Sequence, residues 1–138
     1  MSTLDYRKGL HDLGQGCHAW LQPDGSWGWS NSGLVTGSGQ SLMVDTLFDL
    51  ALTRRMLDGI APVTDEFPLA TLVNTHSDGD HYFGNELVAA RDAEIVASEA
   101  AAALMNQEAV EALAGVKRLD SATGAFAREI FGPFEFEG

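Results

Sequence analysis

The sequence predicts an α/β protein, in which helices flank a mixed β-sheet. Two observations support this fold class. Short β-prone runs separated by turn residues occupy the first 46 positions, and after them amphipathic helical segments alternate with apolar, strand-like ones. A chain of 138 residues with 45% hydrophobic and 20% charged residues has the length and composition of one globular unit. We therefore expect residues 1–138 to form a single domain.

Three strands are predicted in meander order near the N-terminus. Residues 17–21 and 33–36 are short apolar or aromatic runs, and the segment QPDGSWGWSNS between them contains a Pro-Asp-Gly turn. Residues 37–40, with the sequence GSGQ, form a second turn, and residues 41–46 form a third strand that ends on a carboxylate, Asp45, followed by threonine.

Helices and strands alternate in the rest of the chain. Apolar residues recur with helical spacing between positions 47 and 60, and the run LATLVNT at 69–75 suits a strand that is covered on both faces. A further helix, a strand and a Ser98-capped helix are predicted at 81–90, 93–97 and 98–113. Beyond Gly115 the pattern is less regular, and the final FGPFEFEG alternates like the opening of a strand.

Charge and cysteine content restrict the partners and the compartment. Eight Lys and Arg residues stand against 20 Asp and Glu residues, and the net charge of -12 repels nucleic-acid phosphates and anionic membrane surfaces. No segment has the apolar length of a membrane span or of a signal-peptide core. The single cysteine, Cys17, excludes an intrachain disulfide and a cysteine-based zinc finger. We therefore expect a cytoplasmic protein that binds neither nucleic acid nor membranes.

Four candidate metal ligands lie within six positions of the segment LVNTHSDGDHYFGNELV, which spans residues 72–88. His76, Asp78, Asp80 and His81 follow the predicted buried strand at its C-terminal end, where α/β folds usually bind ligands. In an extended segment residues 76, 78 and 80 point to one side and His81 to the other, so the spacing fits two adjacent metal positions. The alternative is a solvated acidic loop whose histidines make surface hydrogen bonds.

The motif NTHSDGDHYFGN resembles the metal-binding signature of the metallo-β-lactamase superfamily, usually Thr-His-x-His-x-Asp-His followed by Gly-Asn or a similar pair. His76, Asp80 and His81 fall on its first histidine, its aspartate and its last histidine, whereas Asp78 stands where the second histidine is usual. The preceding order of three strands, a helix and a strand, with an aspartate after the third strand, also resembles the N-terminal half of that superfamily. The resemblance covers roughly residues 10–113.

The resemblance implies an αββα sandwich, of which this chain would be the N-terminal half, and a dinuclear metal-dependent hydrolase. His76 and Asp78 would help to hold one ion, and Asp80 and His81 the other. A bridging hydroxide would attack an ester, thioester, lactone or amide in a small-molecule substrate, and Asp80 would be the catalytic residue that also orients the attacking water. From its position at a strand end beneath these residues, Asp45 is interpreted as a carboxylate that contacts a ligand side chain, or as a structural hydrogen-bond acceptor, and not as a direct metal ligand.

The metal and the ligand set follow from the same resemblance. It implies two zinc ions, with manganese or iron as alternatives because Asp78 replaces an imidazole by a harder carboxylate. The superfamily takes further ligands from a C-terminal half, whereas no histidine follows His81 in this chain. We therefore expect a fragment of a longer hydrolase, completed by its C-terminal half or by self-association. The alternative is a non-catalytic fragment or interaction module that retains the scaffold and a partial metal site.

Three tryptophans and two further histidines lie outside the motif and are interpreted separately. Trp20, Trp27 and Trp29 cluster around the first predicted hairpin, either as cross-strand pairs that stabilise it or as part of a loop over the substrate, which the superfamily often has there. His11 and His18 are interpreted as hydrogen-bonded or surface histidines and not as metal ligands.

Overall fold

The structure is a computed structural model that describes residues 6–136. Its strands are β1 (Gly9–Gly14), β2 (Cys17–Leu21), β3 (Ser32–Gly37), β4 (Gln40–Val44), β5 (Leu69–Val73) and β6 (Glu94–Val96). They form one six-stranded sheet in the order β1-β2-β3-β4-β5-β6. The first four strands pair in antiparallel fashion, whereas β5 pairs with both β4 and β6 in parallel. The mixed sheet with its helices confirms the predicted α/β class.

No strand is predicted before residue 17, yet β1 pairs with β2 through a tight turn at Gln15 and Gly16, both of which have positive φ. The β1 segment GLHDLG contains no β-branched residue, so its local propensity for a strand is low. Its extended conformation therefore depends on pairing with β2.

Six helices lie in the described part of the chain. They are α1 (Leu50–Thr64), α2 (Gly79–Tyr82), α3 (Asn85–Ala89), α4 (Glu99–Leu104), α5 (Gln107–Arg118) and α6 (Ala122–Phe131). α1 connects β4 to β5, and α2 and α3 connect β5 to β6, so both connections are crossovers between parallel strands. Within residues 6–136, no helix is long and apolar enough to cross a membrane.

Two predicted helices have different limits in the structure. The helix predicted at 47–60 begins at Leu50 because the Asp49 side chain caps it, accepting a hydrogen bond from the Leu52 N–H at 2.6 Å. It also continues to Thr64. The helix predicted at 81–90 is divided into α2 and α3, which are separated at Phe83 and Gly84.

The C-terminal third also departs from the prediction. The helix predicted at 98–113 breaks between α4 and α5, because the Asn106 side chain accepts a hydrogen bond from the Ala109 N–H and begins a new helix. The segment that looks irregular in the sequence contains α6, which Ser121 caps in the same way. The predicted terminal strand at 131–138 is not formed in its described part, because Phe131 ends α6 and residues 132–136 form no strand; residues 137–138 lie outside the described residues.

Helices cover one face of the sheet. Leu34, Met43 and Leu72 are neighbours in register on that face, and they belong to the buried core together with Met56 and Ile60 of α1. The other face carries apolar side chains that do not belong to the buried core. These are Ala19, Val35, Leu42, Val44, Val73 and Val96. The strand predicted to be covered on both faces, β5, is therefore buried on one.

The last described residues pack back against the start of α1. The ring of Phe48 lies 4.9 Å, between centroids, from the rings of both Phe134 and Phe136. The Glu135 N–H donates to Oδ2 of Asp49 at 2.8 Å, while Oδ1 of the same carboxylate caps α1. One side chain thus joins the N-terminus of α1 to a segment 86 positions later in the chain.

Candidate metal centre

The candidate site lies where β4 and β5 end. Because these strands are parallel, Asp45 after β4 and Thr75 and His76 after β5 leave the sheet at the same edge. The Asp45 N–H donates to the carbonyl of Val73 at 2.9 Å, and its φ of 61° is in the left-handed region, where aspartate is enriched among non-glycine residues. The strand end therefore directs a buried carboxylate toward the motif loop.

Asp45 holds this loop through three hydrogen bonds. Its Oδ1 accepts the Thr75 N–H at 2.7 Å, and its Oδ2 accepts the Thr75 hydroxyl at 2.7 Å and Nδ1 of His81 at 2.9 Å. Burial alone would raise the pKa of Asp45, but the hydrogen bonds from His81 and Thr75 outweigh it and hold the pKa below its ordinary value. An anionic carboxylate thus faces the loop, and its supporting role toward the ligands stays a prediction.

The ring centroids of His76 and His81 lie 4.2 Å apart. The expectation that the two side chains point to opposite sides of an extended segment is wrong, because Asp80 and His81 belong to α2 and are helical. Since the Thr75 hydroxyl donates its hydrogen to Asp45, its 2.8 Å contact with Nδ1 of His76 must be a hydrogen bond that the imidazole donates. His81 likewise donates from Nδ1 to Asp45. Both histidines in their neutral form therefore carry the free lone pair on Nε2.

Asp78 and Asp80 each face one of these Nε2 atoms. Oδ2 of Asp78 lies 3.5 Å from Nε2 of His76, and Oδ2 of Asp80 lies 3.6 Å from Nε2 of His81. The pKa of His81 is raised, first by its hydrogen bond to Asp45 and then, against the effect of burial, by the charges of Asp80, Asp45 and Asp78. A cation that binds at His81 therefore competes with a proton.

Two imidazole nitrogens and two carboxylates are a donor set that fits a divalent cation. One group of three potential ligand atoms, from Asp45, His76 and His81, lies within 4.8 Å of one another. However, both oxygens of Asp45 already accept hydrogen bonds, whereas Asp78 and Asp80 face the free nitrogens. The structure thus brings His76 and His81 together and places Asp78 beside the first and Asp80 beside the second, so the assignment of these four residues as ligands stays a prediction.

A buried network that the sequence analysis missed fixes the backbone of the motif. The side chains of Asn74 and Asn85 exchange amide hydrogen bonds of 2.7 and 3.2 Å, and Nδ2 of Asn74 also donates to the carbonyl of His81 at 2.9 Å. The Thr46 N–H donates to the same carbonyl, and its hydroxyl accepts the N–H of Gly84 at 3.2 Å. These bonds hold α2, and with it His81, at the end of the sheet.

Gly84 is required at this position by packing. A Cβ atom on Gly84 would collide with the side chain of Thr53, which is fully buried on α1. The glycine therefore lets the start of α3 approach α1, and this approach fixes the distance between the motif and the core.

A cavity of about 530 Å³ opens beside the motif loop, and Asp78 and Asp80 form part of its wall. The Ser30 hydroxyl donates to the carbonyl of Asp80, which fastens the loop between β2 and β3 to the motif. Trp27 in that loop lines the cavity and is 74% exposed, whereas the other two tryptophans pack internally. Only Trp27 of the three is therefore positioned to contact a molecule in the cavity.

Comparisons with known proteins identify a matching family and a similar fold. The family described as the metallo-beta-lactamase superfamily matches residues 25–134. Among solved structures the chain is similar to the metallo-β-lactamase FIM-1 from Pseudomonas aeruginosa in its mono-zinc form, with 20% identity and a TM-score of 0.57. The match covers 72% of this chain and 46% of that chain, so this chain spans less than half of its length. At this identity the likeness shows the fold, and no curated protein matches significantly.

Proposed function

The chain belongs to the metallo-β-lactamase superfamily, and on that basis we propose that it acts as a metal-dependent hydrolase of an ester, thioester, lactone or amide. The observation that carries the proposal is the pairing of two histidine Nε2 atoms with two carboxylates at the carboxyl ends of parallel strands. Neither a solvated acidic loop nor surface histidines would need the buried Asp45 and the asparagine pair behind them.

His76 with Asp78 and His81 with Asp80 are the residues that would hold the metal, as two zinc ions or, with the harder ligand Asp78, as manganese or iron. A divalent cation at this place supplies Lewis acidity, which polarises a carbonyl group and makes water more acidic. Asp45 keeps the imidazoles oriented, through a direct bond to His81 and through the hydroxyl of Thr75 to His76.

Asp80 is the proposed catalytic residue. Its side chain is 26% exposed, lies in the wall of the cavity and is 3.6 Å from Nε2 of His81. A water molecule that enters from the cavity can donate a hydrogen bond to this carboxylate, which orients its lone pair toward a substrate carbonyl. The bond from Ser30 to the Asp80 carbonyl holds the residue against the loop that carries Trp27.

Metal analysis combined with a panel of neutral esters, thioesters, lactones and amides tests the proposal. The purified chain should bind a divalent metal, and Asp78→His should keep binding it with a shift of preference toward zinc, because imidazole is the softer ligand. Metal-dependent turnover by the chain, alone or combined with a C-terminal half, supports the hydrolase. Bound metal without turnover in either form supports a non-catalytic module, and absence of metal binding contradicts both. Self-association stays a prediction that sedimentation at several protein concentrations tests.

A further inference from the structure

The cavity beside the motif loop is lined mainly by aromatic and aliphatic side chains. We propose that it binds an uncharged apolar part of the substrate, an alkyl chain or an aromatic ring attached to the carbonyl group that is hydrolysed. This inference rests on the function proposed above and names the substrate class for it.

The position of the cavity relates it directly to the motif. Asp78 and Asp80 form one wall, and Leu104, Leu113 and Phe131 from the helices that follow β6 contribute to the rest. A molecule that fills the cavity therefore contacts the two carboxylates that face the histidine nitrogens. Its reactive end lies at the candidate ligands, while its other end extends between α2 and the C-terminal helices.

The size and charge of the cavity select the kind of molecule. Its volume of about 530 Å³ is within the range of sites that enclose small organic ligands. Among the described residues that line it, the charged side chains are Asp78 and Asp80, and no Lys, Arg or His is present. Away from these two carboxylates the described lining residues carry no charge, so a charged group there would lose its hydration without gaining a partner, whereas an uncharged apolar group meets complementary surface.

The rim of the cavity is fixed by a close backbone contact. A Cβ atom on Gly28 would collide with the rings of Phe48 and Phe134, and Gly28 also has a φ of 79°, which favours glycine. This contact holds the loop between β2 and β3 against the aromatic residues and leaves the neighbouring Trp27 exposed at the cavity. The indole has apolar area to bury when a ligand fills the cavity.

Binding of uncharged, non-hydrolysable probes tests this inference separately from catalysis. N-methylalkanamides from four to ten carbons are titrated calorimetrically into the metal-free chain, with n-alkanoates of equal length for comparison. Because each methylene is transferred from water to an apolar wall, affinity for the amides should rise about fourfold per methylene until the cavity is full. In the metal-free chain the alkanoates should bind more weakly at every length, because their carboxylate meets Asp78 and Asp80 without a cation.

Variants locate the binding. Leu113→Trp should reduce the gain per methylene because it fills the cavity, and Ala109→Leu is a smaller second change at the same wall. Leu119→Trp is the matched control, since Leu119 is 48% exposed and outside the cavity, and it should leave binding unchanged. Circular dichroism checks that each variant folds. Affinity that does not depend on chain length, or depends on it equally in the folded cavity variants, would overturn the inference.

The outcomes also separate this inference from the proposed function. Length-dependent amide binding without any metal-dependent hydrolysis would overturn the hydrolase and leave an apolar binding site. Metal-dependent hydrolysis of short acetate esters without length-dependent binding would leave the hydrolase and overturn the apolar substrate class.

Discussion

Replacing Thr75 with valine tests whether its hydroxyl sets how His76 presents its nitrogen to a metal. The hydroxyl donates a hydrogen bond to Asp45 at 2.7 Å and accepts one from Nδ1 of His76 at 2.8 Å. It therefore links the Asp45 carboxylate to a second histidine and fixes the orientation of that ring. Valine has nearly the same shape but makes neither bond, while the backbone bond from Thr75 to Asp45 is retained. His76 then loses the partner that keeps its hydrogen on Nδ1.

The expected effect is a zinc affinity about 10- to 100-fold weaker, as for other residues that orient a metal-binding histidine. A hydrogen bond to a charged group is also lost, which lowers the free energy of unfolding by about 1.5–3 kcal/mol. Titration of the metal-free protein with zinc against a chromophoric chelator measures the first effect, and urea unfolding measures the second. Thr75→Ser keeps the hydroxyl and should restore zinc binding.

Thr71→Val is the matched control, because Thr71 lies on the same strand in register with Leu42, away from the motif loop. It should bind zinc like the wild type. If Thr75→Val binds zinc as tightly as wild type and control, the hydroxyl takes no part in presenting His76, and the reasoning from hydrogen-bond direction is refuted.

Four further substitutions have defined outcomes. In the metal-free protein the pairing of Asp45 with His81 stabilises the folded state. The pKa of His81 is raised, so its contribution is complete below pH 6.5 and is lost as the pH rises through the folded-state pKa. The pKa of Asp45 is lowered, so its contribution is complete above pH 3.8 and is lost as the pH falls through the folded-state pKa. Urea unfolding of wild type and Asp45→Asn should therefore differ most in the pH range where both contributions are complete; a difference that does not vary with pH contradicts the pairing. Asp80→Ala should lower the metal content of the purified protein and abolish the proposed hydrolysis, and unchanged metal content and rate would make Asp80 a surface carboxylate. Gly84→Ala should destabilise the protein by about 1–3 kcal/mol, because the added methyl group collides with the buried side chain of Thr53 on α1. Gly115→Ala is the control: a Cβ atom there meets open space, so the substitution should stabilise the protein by about 0.5–1 kcal/mol in thermal unfolding.

The sequence predicts the central strands and the motif loop well because their signals are local. Alternating apolar residues and turn residues mark β2 to β5, and the four candidate ligands lie within six positions. β1 and α6 are missed for the opposite reason, since their conformation depends on partners. β1 needs the edge of β2, and α6 packs through Phe131 against Phe48; the Ser121 cap of α6 is a local signal that the sequence analysis did not use.

The hydrogen-bond network behind the site could not be predicted from one sequence. Asn74 and Asn85 are 11 positions apart, and only the fold turns their amides toward each other. Asp45 is 30 positions from Thr75, and their hydrogen bonds depend on the parallel pairing of β4 and β5. The type and spacing of ligands are therefore predictable, whereas the direction of their hydrogen bonds requires the structure.

The two bonds of Asp49 also set an order of events during translation. Glu135 is synthesised 86 residues after Asp49, so when α1 leaves the ribosome the carboxylate can cap the helix but lacks its second donor. The ring of Phe48 meanwhile has no Phe131 or Phe134 to pack against. A nascent chain that has reached α5 therefore carries every candidate metal ligand beside a cavity that still lacks Phe131, although its other aromatic lining residues have been synthesised.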